Sequence, residues 1–283
     1  LFPTVDMDLI LKAMKKTRPT ILPAVPPVYR RLMDEAKKRG VSLEGIRYAV
    51  SGAMNLPPEL VAEWEEASGG FMVEGYGLTE CAPLVSCNPL NDTRRAGSIG
   101  VPFPSTDIRV VDPETGADVP LGEEGELWVS GPQRFMGYWK REDETAKTIT
   151  PDGWLRTGDI VRLDEDFFIQ IVDRIKEVII TGGFNVSPTE VEVALKQHDT
   201  VADAAVVGIP LLGGGEMVVA AVVPAPGRVV EEHTLREHCY SKVTRYKVPR
   251  RIVVVDDLPR SMLGKVLRRK VREQLIASGD FEQ

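Results

Sequence analysis

Only three cysteines, Cys81, Cys87 and Cys239, occur in 283 residues. That is too few for a disulfide framework, and their spacing fits no common zinc pattern. A reducing, cytoplasmic setting is therefore expected. Long apolar runs are missing as well: the apolar stretches are short and strand-like, far below the ~20 residues that span a bilayer. No basic segment followed by an apolar one opens the chain, so no secretory signal is expected. The first residues are Leu1-Phe2-Pro3 rather than methionine. Nor is there an excess of positive charge. The formal net charge is -7, which argues against a nucleic-acid binder, whose phosphate contacts favour a basic surface. What is present, 43% hydrophobic and 27% charged residues, is ordinary globular composition in a chain long enough for two domains.

Apolar residues Met7, Ile10, Leu11 and Met14 are spaced as on a helix over 6–16. A short strand is expected over 20–22, then a helix from Pro26-Pro27, proline being suited to a first turn. A buried strand over 46–50 ends at Ser51-Gly52, a helix covers 57–67, and a strand covers 71–73. Strands alternating with helices predict a mostly parallel sheet covered on its faces. Such sheets bind ligands beyond the carboxyl ends of their strands, where Ser51-Gly52 and Gly75-Tyr76-Gly77 fall. After Gly97 the pattern changes to short strands, 108–111, 126–129, 160–163 and 168–172, separated by turn signals such as Thr115-Gly116 and Asp152-Gly153. This reads as a small antiparallel β unit. Beyond a polar step at 173–176 come a strand, a helix (188–197), strands over 204–208 and 218–223, a helix (231–244), a strand (252–255) and a last helix. The fold class expected is thus α/β and α+β. Residues 1–172 form the large-domain portion (1–97 α/β, 98–172 β-rich) and residues 173–283 a small α+β domain.

Four motifs have residue types suited to chemistry. In Gly75-Tyr76-Gly77-Leu78-Thr79-Glu80, glycines allow close approach of a planar or phosphate ligand. The threonine hydroxyl can bond phosphate and the carboxylate can hold magnesium. The plainer alternative is a strand-ending turn. In Trp154-Leu155-Arg156-Thr157-Gly158-Asp159 the aspartate can accept both ribose hydroxyls, or else bond its own backbone in a turn. Asp173-Arg174-Ile175-Lys176-Glu177, followed by Thr181-Gly182-Gly183-Phe184-Asn185, can equally be a solvated surface leading to a hairpin turn. In Leu258-Pro259-Arg260-Ser261-Met262-Leu263-Gly264-Lys265, a lysine on a glycine-bearing loop can neutralise developing phosphate charge. The arginines and lysines at 268–272 are a solvated face, with weak peripheral contact to anionic lipid as an alternative. His198, His233 and His238 read as surface or cap residues, since no further ligand is spaced to join them. Cys239 and His238 are adjacent on a helix and point apart. The glycine run in 211–216 reads as a turn.

Taken in this order, the four motifs resemble the motif series of the adenylate-forming superfamily, which includes acyl-CoA synthetases, luciferases and peptide-synthetase adenylation domains. The resemblance covers nearly all 283 residues. Ser51-Gly52-Ala53 resembles the family's adenine-side loop, Gly97-Ser98-Ile99-Gly100 its following loop, and Gly137-Tyr138-Trp139 also fits. The wording from Thr181 to Pro188 looks most like bacterial medium- to long-chain fatty acyl-CoA synthetases.

The resemblance implies ATP-dependent activation of a fatty acid to acyl-AMP and transfer to coenzyme A, with ATP, Mg²⁺ and CoA as cofactor and co-substrates. It implies that Thr79 contacts the α-phosphate, Glu80 holds Mg²⁺, Tyr76 stacks near adenine, Asp159 grips the ribose and Arg174 assists at ribose or phosphate. Ser51, Gly52, Ala53, Gly75 and Gly77 complete the nucleotide side. Lys265 stabilises the adenylation transition state, Lys176 is the hinge within 173–177, and Gly182 and Gly183 lie on the CoA side of a mobile lid. The family's Ser/Thr/Gly-rich phosphate loop has no counterpart here, and Ser51-Gly52-Ala53-Met54 replaces the commoner double glycine. The expectation is a C-terminal half whose isolated activity is open. The alternatives are a non-catalytic nucleotide-binding fragment and an aryl- or amino-acid-adenylating relative. A homodimer is compatible with the sequence; a nucleic-acid partner is not expected.

Overall fold

The computed structural model describes residues 5–211, 215–261 and 264–278. Residues 212–214 of the expected glycine turn, and Met262 and Leu263 of the lysine loop, lie outside them. The chain divides into two compact units, Leu1–Ile171 and Val172–Gln283.

The first unit opens with α1 (Met7–Lys16), whose first amides are met by the Asp6 carboxylate, at 2.9 Å from the Asp8 amide. Then come β1 (Ile21–Ala24), α2 (Pro26–Lys38), β2 (Tyr48–Ser51), α3 (Pro58–Ser68) and β3 (Phe71–Gly77). Prolines occupy the first turns of α2 and α3, where no amide is needed. Strands β1, β2 and β3 are parallel. Trp64, Tyr29, Leu11, Leu32 and Ile46 fill the core against them. The sheet is less parallel than its first half predicts. β4 (Leu84–Cys87) and β5 (Val101–Pro102) add to it antiparallel, in the order β1-β2-β3-β4-β5.

A second, four-stranded sheet follows in the order β6-β7-β8-β9, built from β6 (Asp107–Val111), β7 (Glu124–Ser130), β8 (Leu155–Leu163) and β9 (Ile169–Arg174). Leu127, Val129, Leu155, Val161 and Ile169 form its buried face. β8 begins five residues before the predicted strand, because the polar run Arg156–Asp159 interrupts the apolar alternation that marks a strand. The short helix α4 (Glu142–Thr148) is unpredicted for a related reason: it buries no residue and so carries no apolar periodicity.

The second unit starts with a hairpin, β10 (Ile179–Thr181) and β11 (Phe184–Val186). It continues through α5 (Pro188–Lys196), β12 (Val201–Pro210), β13 (Glu216–Pro224), α6 (Glu232–Tyr240), β14 (Arg251–Val254) and α7 (Arg268–Ala277). β12 pairs antiparallel and β14 parallel with β13. Successive strand residues face opposite sides. Ala204, Val206, Ala220 and Val222 therefore pack with Val191, Leu195 and Leu235, while Ala205, Val207, Val219 and Ala221 pack with Leu258, Val271 and Leu275. Covering both faces explains why these strands read as unbroken apolar runs. α6 ends before the predicted 244: the amides of Lys242 and Val243 both turn onto the Cys239 carbonyl.

A half-buried arginine ties this unit together. Arg268 donates to both carboxylate oxygens of Glu192 (2.8 and 2.7 Å) and to the Thr189 hydroxyl (2.8 Å), and pairs with Glu177. The Asp173 carboxylate lies 3.7 Å away and also accepts from the Ser187 hydroxyl at 2.5 Å and the Thr189 amide at 3.2 Å. Replacing Arg268 by alanine strands several carboxylates. Arg268→Ala is expected to lower the unfolding free energy by about 3–5 kcal/mol, seen as a lower urea midpoint at unchanged slope. A loss under about 1 kcal/mol, the range of solvated surface pairs, would show that water already screens the network.

Candidate functional site

The carboxyl ends of β2 and β3 form the core of the candidate site. Ser51 closes β2, opposite Glu74 of β3. It is wholly buried, and its hydroxyl has no hydrogen-bond partner among the described residues. Gly52 follows, then Ala53 at φ 65°, a left-handed conformation in which a side chain costs roughly 1–2 kcal/mol. A glycine at this position would carry no such cost.

Gly75, Tyr76 and Gly77 are the last three residues of β3 rather than a loop. The two glycines differ in what holds them. A Cβ on Gly77 would sit 1.9 Å from the Pro83 carbonyl oxygen, so the chain's own close approach demands glycine there. A Cβ on Gly75 would meet nothing nearer than Cys87 Sγ at 3.6 Å, an ordinary contact. Tyr76 is buried, and its hydroxyl donates to Asp159 Oδ2 at 2.5 Å. Asp159 is itself buried within β8. Its amide donates to the Thr157 hydroxyl (3.1 Å), which donates in turn to the Leu127 carbonyl (2.7 Å). Asp159 therefore lies in a strand rather than in a turn. Glu126 holds the neighbouring backbone, accepting from the Gly158 amide at 3.1 Å and from Trp128 Nε1 at 2.8 Å.

Beyond Gly77 a 3-10 turn carries Thr79, Glu80 and Cys81. Thr79 is exposed and Glu80 half-buried. The Phe135 amide donates to the Glu80 carbonyl (2.7 Å), and the Tyr138 hydroxyl to Glu80 Oε1 (2.6 Å). The bond to Glu80 holds the Tyr138 phenol above its usual range. Cys81 is fully buried, and burial pushes its thiol to about 11, which makes it inert. Tyr138 is the residue sequence reasoning misses. It stands there only as part of a motif, and nothing in residue spacing pairs positions 80 and 138.

In the second unit, Arg174 ends β9 and its carbonyl accepts the amides of Glu177 and Val178 (2.9 and 3.1 Å), closing a tight turn with Lys176 exposed on it. Gly182 and Gly183, at φ 57° and 82°, form the two-residue turn of the β10–β11 hairpin. Lys265 is exposed. Its carbonyl accepts the Ser261 amide at 2.8 Å and its amide donates to the Ser261 hydroxyl at 3.2 Å. Arg260 fastens the loop by donating to the Gly264 carbonyl at 3.0 Å and pairing with Asp203. His198 and His238 stack edge to face at 5.1 Å and bond Thr200 and the Ala194 carbonyl. No group of three or more His, Cys, Asp or Glu among the described residues could hold a metal, and no described helix is long and apolar enough to cross a membrane.

Glu74 precedes the motif and is buried; burial pushes its carboxyl up to about 8. An acid whose folded value lies above its unfolded value of 4.5 stabilises least at high pH. The folded state binds the extra proton, so stability falls as pH rises from about 4.5 to about 8. Glu74→Gln, which mimics the protonated acid, is expected to flatten that fall and to raise stability above pH 8. Parallel denaturation curves at pH 5 and 9 would measure it, and an unchanged pH slope would contradict it. Gly77→Ala is expected to cost about 1–3 kcal/mol of stability. Gly75→Ala should cost under about 0.5 kcal/mol, the usual range away from a packing fault. Equal costs would show that the Pro83 contact does not distinguish the two.

The comparisons agree on one family. The family model for AMP-binding enzyme matches residues 1–139, and that for AMP-binding enzyme C-terminal domain matches residues 190–265. A long-chain-fatty-acid–CoA ligase of Yersinia pestis is 40% identical over 274 residues, 97% of this chain and 48% of that protein. One of Bacillus subtilis is 39% identical, over 97% and 49%. ATP-bound MatB from Rhodopseudomonas palustris superposes with a TM-score of 0.88 at 35% identity, covering 97% of this chain and 54% of that one. The anthranilate CoA ligase AuaEII with anthranoyl-AMP gives 0.81 at 30% identity, covering 98% and 55%. The chain spans about half the length of the curated relatives it matches.

Proposed function

Because the chain belongs to the AMP-binding enzyme family, we propose that it supplies the AMP-gripping and lid portions of a long-chain fatty acyl-CoA ligase. In the first half-reaction a fatty carboxylate oxygen attacks the α-phosphorus of ATP and pyrophosphate leaves. In the second, the coenzyme A sulfur attacks the acyl carbonyl and AMP leaves. Residues 1–172 are the large-domain portion and 173–283 the lid, with the hinge at 173–177.

Asp159 accepts the ribose hydroxyls, Arg174 assists there or at phosphate, and Tyr76 offers its ring to the adenine beside Ser51, Gly52 and Ala53. Gly75 leaves the ligand room that its own packing does not require, next to Gly77. The exposed Thr79 hydroxyl donates to the α-phosphate. Lys265 neutralises charge building on that phosphate, an electrostatic role in a transfer that asks little covalent work of the protein. Gly182 and Gly183 flank the coenzyme A side, and Lys176 carries the hinge rotation. Magnesium fits Glu80: one carboxylate oxygen is held by Tyr138, and Mg²⁺ needs only one or two carboxylates when phosphates and waters fill its other positions. When bound it would neutralise phosphate charge. A reducing, cytoplasmic setting suits the three free thiols, and exposed Arg269 and Lys270 on α7 suit weak contact with anionic lipid.

What supports the reading most is the Tyr76–Asp159 bond, which joins two motifs 83 residues apart at the carboxyl end of β3. The test is AMP binding and palmitoyl-CoA formation by the 283-residue chain with ATP, Mg²⁺ and coenzyme A. AMP binding is expected, weakened about tenfold or more in Asp159→Asn, the worth of a hydrogen bond to a charged group. Thioester formation, where it occurs, is expected to fall about 10²–10³-fold in Lys265→Ala. AMP binding without thioester would mark this chain as a nucleotide-binding portion alone. If the chain bound no AMP, the reading would be wrong.

A further inference from the structure

Glu80 is gripped twice by one loop. The Phe135 amide holds its backbone carbonyl at 2.7 Å and the Tyr138 hydroxyl holds Oε1 at 2.6 Å. That loop is itself braced. The Tyr138 amide donates to the Thr145 hydroxyl at 2.9 Å, which donates to the Arg141 carbonyl at 2.8 Å. The Arg141 amide returns to the Tyr138 carbonyl at 3.1 Å. The rings of Phe135 and Tyr138 meet edge to face, centroids 4.9 Å apart. A glutamate has three rotatable bonds, and on a half-exposed 3-10 turn it would sample several rotamers. The phenol removes that freedom by fixing one oxygen, which sets where the other points. A phenol donor is also neutral, so unlike an arginine it brings no positive charge to the turn.

We propose that Tyr138 is a positioning residue: it orients the Glu80 carboxylate toward the divalent metal of a metal–nucleotide complex, with Phe135 fixing the backbone beneath it. The proposal rests on the nucleotide-binding reading above. Partners that orient a metal ligand typically matter 10- to 100-fold in metal affinity. Bond and metal do not compete, because the carboxylate has two oxygens and Tyr138 takes one.

The probe is Mn²⁺·ATP with bound manganese read by electron paramagnetic resonance, on the full chain and on Tyr138→Phe, Glu80→Gln and the double variant. Metal-free AMP binding is measured alongside. Tyr138→Phe keeps the ring and its contact with Phe135, and is expected to weaken Mn²⁺·ATP about 10- to 100-fold while AMP affinity stays unchanged. Because Tyr138 acts through Glu80, the double variant should be no weaker than Glu80→Gln alone. A Tyr138→Phe chain binding Mn²⁺·ATP as tightly as the unsubstituted one, or penalties that simply add, would overturn the positioning role and leave the nucleotide reading standing. Absence of both AMP and Mn²⁺·ATP binding in the unsubstituted chain would overturn both. AMP binding with no manganese retained would overturn the metal role alone.

Discussion

The candidate site depends on one close approach of backbone to backbone. At Gly77 the chain passes so near the Pro83 carbonyl that a Cβ would lie 1.9 Å from it, and the Leu78 amide donates to the same oxygen at 2.8 Å. This contact folds the chain back on itself within six residues. It converts the parallel half of the sheet, β1 to β3, into an antiparallel one, β4 and β5. It also compresses Thr79, Glu80 and Cys81 into a 3-10 turn, with Cys81 sealed in the core and Thr79 outside. Thr79 and Glu80 are therefore held on a rigid turn at the strand's end. A side chain at position 77 would open the turn and move both.

A second anchoring serves the other unit. Lys265 is exposed, but the loop carrying it is fastened on both sides, by Arg260 to Asp203 and by Arg268 to Glu192 and Glu177. Arg268 also lies beside Asp173, which holds the Thr189 amide at the start of α5. The loop, the first turn of α5 and the segment 173–177 thus share one set of charges. Asp173 and Glu177 flank the tight turn carrying Lys176, so any change in that turn's backbone alters what Arg268 can reach. A network spread across three motifs explains why the charged residues there are individually ordinary in sequence yet packed together in the fold.

Much of this is legible in the residues. Helices with an apolar stripe, α1, α2, α3 and α5, announce themselves by spacing and by their Asp, Pro and Ser starts. Strands β12 and β13 do so by apolar runs. Elements without a buried stripe do not: α4 buries nothing, and β8 is interrupted by the polar run that carries Asp159. The candidate site is legible as separate motifs, each with a plain alternative. For Gly182-Gly183 that alternative, a hairpin turn, is what the backbone adopts. Asp159 instead stands in a strand, where its carboxylate accepts from Tyr76. Contacts between motifs, such as Tyr138 with Glu80, follow from sheet topology and loop closure, which single-chain periodicity does not encode.

The two contacts that join distant motifs share a chemistry. In both, a tyrosine hydroxyl donates to a carboxylate, Tyr76 to Asp159 and Tyr138 to Glu80. An arginine in either place would hold the carboxylate more firmly through its planar fork, as Arg268 does with Glu192. Beside Glu80 it would also bring a positive charge. Among the described residues Glu80 has no cationic partner; its side chain is held by a neutral phenol. Its orientation is thus set by a group that brings no positive charge of its own. The same contrast separates two kinds of acidic residue in this chain. Glu192 is met by a guanidinium and holds structure, whereas Glu80 is oriented by a neutral hydroxyl, which suits the metal-facing role proposed for it.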